Sequence, residues 1–226
     1  MWSAISSPDF FSTILRSATP ILFATLAAAV AAKAGICNMA LEGIMLFSAL
    51  FGVIFSSLTH SAWLGLLITM VIGGLIGLIL AFFILNLKTD EILAAIAINL
   101  TATGGTVLLL VAVSGDRGVS SSIRSVSAPS VVIPFIEKIP FIGSVLSGQI
   151  ILTWFSILAV ILLHLFLYKT PLGLAIRAVG ENKNAAESVG ISSRKIQYIA
   201  LIISGVLAAM GGFYLSGGYM NMFTKD

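Results

Sequence analysis

The chain has 226 residues, of which 58% are hydrophobic and only 9% are charged, and its mean hydropathy is +1.10. A soluble domain carries about 25% charged residues, so this composition excludes an ordinary water-soluble fold. The formal net charge of +3 is scattered over loops and segment ends with no basic face, which argues against a nucleic-acid partner.

Charge is missing in long blocks. Residues 43–87, 92–115, 139–168 and 196–224 contain no Asp, Glu, Lys or Arg, and 17–32 is a shorter gap of the same kind. An apolar run of roughly 18 residues or more crosses a ~30 Å hydrocarbon core as a helix. Lipid supplies no hydrogen-bond partners, so each run must close its own backbone bonds. The predicted fold is all-α: a polytopic transmembrane helix bundle forming one domain over 1–226, with spans at 15–33, 36–57, 62–86, 92–113, 149–168 and 196–217.

The first span follows Arg16 and ends in small residues, a pattern shared with signal peptides. The late position of the charge, Pro20 at the start of the run and the further spans favour a retained helix. Cys37 is alone, so no intrachain disulfide forms, and its apolar surroundings predict a buried packing role. Asn38 and Glu42 stand four residues apart, on one face if the second span is helical there. A carboxylate inside a span costs on the order of 2–3 kcal/mol unless it meets a partner or water. Two readings stand for this pair: a polar pathway or helix-locking network, or a carboxylate near the span end that snorkels or pairs with Lys33.

Gly73, Gly74 and Gly77 in the third span include a small-xxx-small pair that allows close helix approach. Gly104-Gly105, Gly211-Gly212 and Gly217-Gly218 serve either packing or hinges. Asp90 and Glu91 suit the start of the fourth span, where the helix dipole favours negative charge. Asn99, Thr103 and Thr106 then share a face, which either lines a solute path or bonds neighbouring helices. The loop 114–148 carries Pro129, Pro134 and Pro140, with apolar runs at 131–136 and 139–146 that either lie on the membrane surface or simply connect. His164 stands alone in the fifth span. With no paired carboxylates, no nucleophile beside a base and no phosphate-cradling loop, no catalytic residue, metal or cofactor is expected.

Segment 169–195 holds Lys169, Arg177, Lys183, Arg194 and Lys195, the densest basic cluster. The positive-inside rule places it in the cytoplasm together with Lys33 and Lys88. The turn at Thr59-His60-Ser61, the loop 114–148 and the N-terminus then lie outside. Leu172, Ala175, Ile176 and Val179 form an apolar face on a helix that Gly180 is expected to stop. Asn184 is expected to cap a second, very short helix ending at Gly190, with Glu187 completing a capping box. Ala185 and Ala186 would let this knob enter a groove of another protein.

Here the residues carry a resemblance. Leu172-Gly173-x-x-x-Arg177-Ala-Val-Gly180-Glu181-Asn182, followed by Ala185-Ala186-x-x-x-Gly190-Ile, resembles the ATPase-coupling loop of bacterial ABC importer permeases. More narrowly, it resembles the group serving simple sugars, nucleosides and branched-chain amino acids. Asn38-Met-Ala-Leu-Glu42-Gly43 is similar to that group's early Asn-x-x-x-Glu-Gly signature, and Lys88-Thr-Asp-Glu91-Ile and the Gly-Gly-Phe-Tyr of the last span also look like it. Asn184 stands where the older coupling signature has Glu.

The resemblance implies a permease subunit in the bacterial cytoplasmic (inner) membrane that imports nucleosides or simple sugars. It implies a cytoplasmic ABC ATPase, a second permease subunit and an extracytoplasmic solute-binding protein or lipoprotein as partners. Hydrolysis would belong to the ATPase, so this chain is not expected to be an enzyme. Coupling would fall to Leu172, Gly173, Arg177, Gly180, Glu181, Asn182, Ala185, Ala186 and Gly190; Asn38, Glu42, Asn99 and Thr103 would serve the pathway or lock helices. Members usually continue through two or more further spans, which implies a truncated product, a fragment or a split permease. The alternatives are an ion-coupled carrier in which Glu42 titrates, or a non-transporting scaffold.

Overall fold

In the computed structural model, residues 8–115, 129–131 and 148–219 are described. Among these residues, eight α-helices run over Pro8–Lys33 (α1), Leu41–Thr59 (α2), Ala62–Leu85 (α3), Glu91–Ser114 (α4), Ile151–Lys169 (α5), Pro171–Glu181 (α6), Lys183–Ser188 (α7) and Ser193–Phe213 (α8). A single π-helical turn, Tyr214–Tyr219, extends α8. Six of these helices are long and apolar enough to cross a membrane: α1 to α5 and α8. Ser130–Val131 (β1) pairs antiparallel with Gln149–Ile150 (β2). The proposed surface runs at 131–136 and 139–146 lie outside the described residues, apart from Val131.

Helix α8 is the hub, packed against α3, α1 and α2, while α4 leans on α2 and α5 on α1. The α3–α8 contact is made by backbone. A Cβ at Gly77 would come 2.5 Å from the Leu201 carbonyl oxygen, and one at Gly73 would meet Ala209 and the Gly205 carbonyl. In lipid, where apolar side chains gain nothing by leaving the solvent, such close approach supplies the helix-to-helix attraction. The outer faces are apolar and exposed, with Val71, Leu100, Leu108 and Ile161 each more than half uncovered. These surfaces suit hydrocarbon.

Several boundaries differ from expectation. Helix α1 starts at Pro8 rather than near 15 and runs through Pro20. Residues Ser193–Lys195 are already helical in α8, whereas Gln149 and Ile150 belong to a strand, not to the fifth span. The largest difference is at 36–40, expected as helix and found without regular secondary structure. Gly35 takes a left-handed φ of 75°, and burial then alternates, with Ile36, Asn38 and Ala40 inside and Cys37 and Met39 outside. Cys37 is therefore exposed, not buried.

Candidate functional site

One end of the bundle gathers three connections: 34–40, 86–90 and 170–192. Arg194 Nη2 donates to the Leu85 carbonyl at 2.9 Å, and the Tyr198 hydroxyl donates to Asn86 Oδ1 at 2.9 Å. The Cys37 N–H donates to Glu91 Oε2 at 2.7 Å. The basic residues Lys33, Lys88, Lys169, Arg177, Lys183, Arg194 and Lys195 all belong to this end.

Here α6 and α7 form a knob. Thr170 starts α6: its hydroxyl accepts from the Gly173 N–H at 3.1 Å and donates to the Phe166 carbonyl at 2.6 Å, with Pro171 in the first turn. This cap contributes about 1 kcal/mol. Gly173 lies directly against the last turn of α5, where a Cβ would strike the Phe166 carbonyl and the Leu167 backbone. Ile176 and Val179 are buried with Val30, Ala34, Leu163 and Leu167. Arg177 folds back onto the end of α5, its Nε donating to the Leu167 carbonyl at 3.0 Å and its guanidinium lying 4.6 Å from the centre of the Tyr168 ring.

Gly180 does not stop α6, which continues through Glu181. Its lack of a side chain serves another purpose: a Cβ there would land on the Lys33 carbonyl, 3.0 Å from the Gly35 N–H nitrogen. The cap of α7 is Asn182 rather than Asn184, with its Oδ1 accepting from the Ala185 N–H at 3.0 Å. Asn184 is exposed and lies inside the helix. After α7, Gly190 adopts a φ of 86° and its N–H donates to the Glu187 carbonyl at 3.0 Å. Such left-handed geometry favours glycine.

The structure thus divides the nine coupling residues expected from the resemblance. Leu172, Glu181, Asn182, Ala185 and Gly190 are exposed. Ala186 and Gly173 are buried within this chain, and Arg177 and Gly180 are half-buried against α5 and α1. Ala186 therefore packs inward and is not offered to a partner. Sequence reasoning missed two exposed apolar side chains on the knob, Leu174 and Val189, of which 60% and 74% are uncovered. Their signal was available as large apolar residues off the buried side formed by Gly173, Ile176 and Val179.

The polar residues nearer the bilayer also separate. Asn38 is not on a helix face with Glu42, because its segment is not helical. Its Nδ2 donates to Ser204 Oγ at 2.9 Å, and Ser204 in turn donates to the Ala27 carbonyl at 2.7 Å, so one relay ties the 34–40 segment to α8 and α1. Asn38 Oδ1 accepts from the Ala40 N–H at 3.0 Å. Asn99 clamps α4 to α2, accepting from the Gly43 N–H at 2.8 Å and donating to the Met39 carbonyl at 3.0 Å. Glu42 is exposed in the first turn of α2 and makes no ion pair with Lys33 among the described residues. Thr103 and Thr106 do not present a common polar face: Thr103 is exposed, Thr106 is buried, and each hydroxyl bonds its own helix. Gly217 and Gly218 lie in the π-helical turn, whereas Gly212 approaches the Met45 backbone.

Residues 10–222 match the family profile described as "Branched-chain amino acid transport system / permease component". The guanosine ABC transporter permease protein NupQ of Bacillus subtilis is 32% identical over 206 residues, 86% of this chain and 63% of the relative. The nucleoside ABC transporter permease protein NupC of Lactococcus lactis is 31% identical over 89% of this chain and 65% of its own length. The putative glucose ABC transporter permease protein TsgC13 of Haloferax volcanii is 29% identical over 92% of this chain and 63% of its own length. The chain thus spans less than two thirds of the length of these curated relatives. No solved structure matches it. Together with its six candidate spans, the match over nearly its whole length means that this chain is a multi-pass inner-membrane protein and belongs to the permease-component family of the branched-chain amino acid transport system.

Proposed function

We propose that this chain is the membrane-spanning part of a permease subunit in an ATP-driven importer, and that the knob of α6 and α7 is where a separate cytoplasmic ATPase docks. The observation that carries this reading is the division of the knob into a locked root and a free tip. Gly173, Ile176, Val179, Gly180 and Ala186 root it in α1, α5 and α8, while Leu172, Leu174, Ala185 and Val189 stand exposed at the basic end. An apolar tip on a rigid root suits a groove in a soluble partner.

In this reading the basic end is cytoplasmic, in keeping with the charge bias of the connections. A second permease subunit completes the pathway, and an extracytoplasmic solute-binding protein delivers the cargo. ATP is hydrolysed by the partner. Relatives named as nucleoside and guanosine permeases support a nucleoside as cargo, and the glucose permeases support a simple sugar as the second choice.

The decisive variant is Val189→Glu, which charges the tip without touching the root. Co-purification of the ATPase should fall at least about ten-fold, as for loss of a central interface contact, and nucleoside uptake should fall with it while membrane insertion is kept. Unchanged ATPase recovery and uptake would refute the docking assignment.

A further inference from the structure

The outer face of α5 ends in a cluster that the docking reading does not use. Ile157, Ile161, His164 and Tyr168 follow at intervals of four, three and four residues, which aligns them along one side of the helix. All four are exposed. The His164 ring stacks on Tyr168 with centroids 4.8 Å apart and planes 30° apart, and the Arg177 guanidinium lies 4.6 Å from the centre of the same tyrosine ring. Arg177 reaches this place from α6 and is held there by the bond from Nε to the Leu167 carbonyl. Its terminal nitrogens have no hydrogen-bond partner among the described residues. Glu181, one turn further along α6, makes no ion pair with it among the described residues. Lys169, the next residue after Tyr168, is also exposed.

These groups have the chemistry of a phosphate site with an apolar tail below it. A guanidinium fixed on one edge and one face keeps its remaining N–H groups aimed in a set direction, and its planar fork matches a phosphate. Lys169 adds a second positive charge. From Ile157 to Tyr168 the helix rises roughly 16 Å, about the depth of one leaflet of hydrocarbon. Tyr168 and Lys169 close the span, at the level where headgroups lie and where tyrosine is favoured. Basic pockets at helix ends are suited to anionic headgroups.

We propose that this face binds an anionic phospholipid, with its phosphate held by Arg177 and Lys169 and an acyl chain lying along Ile161 and Ile157. The site is independent of the ATPase reading, because it uses Arg177 folded against the end of α5 and the outside of that helix, not the tip of the knob.

The test equilibrates the full chain in detergent with equimolar phosphatidylglycerol and phosphatidylcholine and counts retained lipids by native mass spectrometry. Phosphatidylglycerol should be preferred by about five-fold for each basic side chain engaged, and both Arg177→Gln and Lys169→Gln should reduce that preference. Lys169→Gln matters separately, since Arg177 also braces α6. Inorganic phosphate should fail to displace the lipid; displacement would mark a free-anion site and overturn the proposal. Equal retention of the two lipids, or full preference in Lys169→Gln, would overturn it too. A disulfide between copies at Tyr168→Cys, in a Cys37→Ser background, would put a second chain on this face instead and have the same consequence.

Discussion

Helices α3 and α4 each have 24 residues, each is apolar nearly throughout, and each carries a Gly-Gly pair in its middle. Gly73 in α3 has the backbone and side chain of α8 against it, whereas Gly104 in α4 has nothing within 4 Å. The same residue type therefore does opposite things: at 73 it admits a second helix, at 104 it leaves a dent in an outer surface. In a bilayer, hydropathy marks a segment as spanning but says nothing about which side of it is covered. Only the backbone approach at Gly73, Gly77 and Gly205 identifies the inner seam.

The comparison can be broken most severely at the seam. Gly73→Ala places a methyl against Ala209 and the Gly205 carbonyl, and should destabilise the bundle by about 1–3 kcal/mol, as overpacking generally does. Thermal unfolding in detergent, followed by size-exclusion recovery, checks this; a variant as stable as the parent would show that the seam can open without cost. A smaller loss is expected at the polar brace. Asn38→Ala removes the bond to Ser204 and leaves the Ala40 N–H without its acceptor, at about 1 kcal/mol. Faster hydrogen exchange over 36–41 should accompany that loss. Smallest of all, Gly104→Ala should be neutral or stabilise by up to about 1 kcal/mol, because the helix gains propensity and meets no neighbour.

Much of this organisation was legible in the amino-acid order, because charge-free runs long enough to span can do little else in lipid. The errors fall where a polar side chain competes with the helix for backbone groups. Asn38 sits in a run that scans as helical, yet its Oδ1 takes the Ala40 N–H and its Nδ2 reaches Ser204, 166 residues away. Local periodicity cannot contain that second partner. Likewise Asn182 and Asn184 are chemically equal candidates for a cap. Asn182 takes the role: α6 runs on past Gly180, which rests on the end of α1, and Asn182 is the first residue beyond that helix. At the knob, the motif marked the right segment but not the direction each side chain takes. Ala186 and Val189 lie three residues apart, one buried and the other largely uncovered.

Where Gly180 crosses Gly35, two bare backbones meet with no side chain between them. Side chains act as cushions, since they change rotamer under load; peptide planes in direct contact do not. A tilt imposed on the knob is thus handed undamped to the end of α1, and through the Gln197 bond to the Ala34 carbonyl, to α8 as well. The fulcrum of any such motion is then this pair of residues, which puts no side chain between the two backbones.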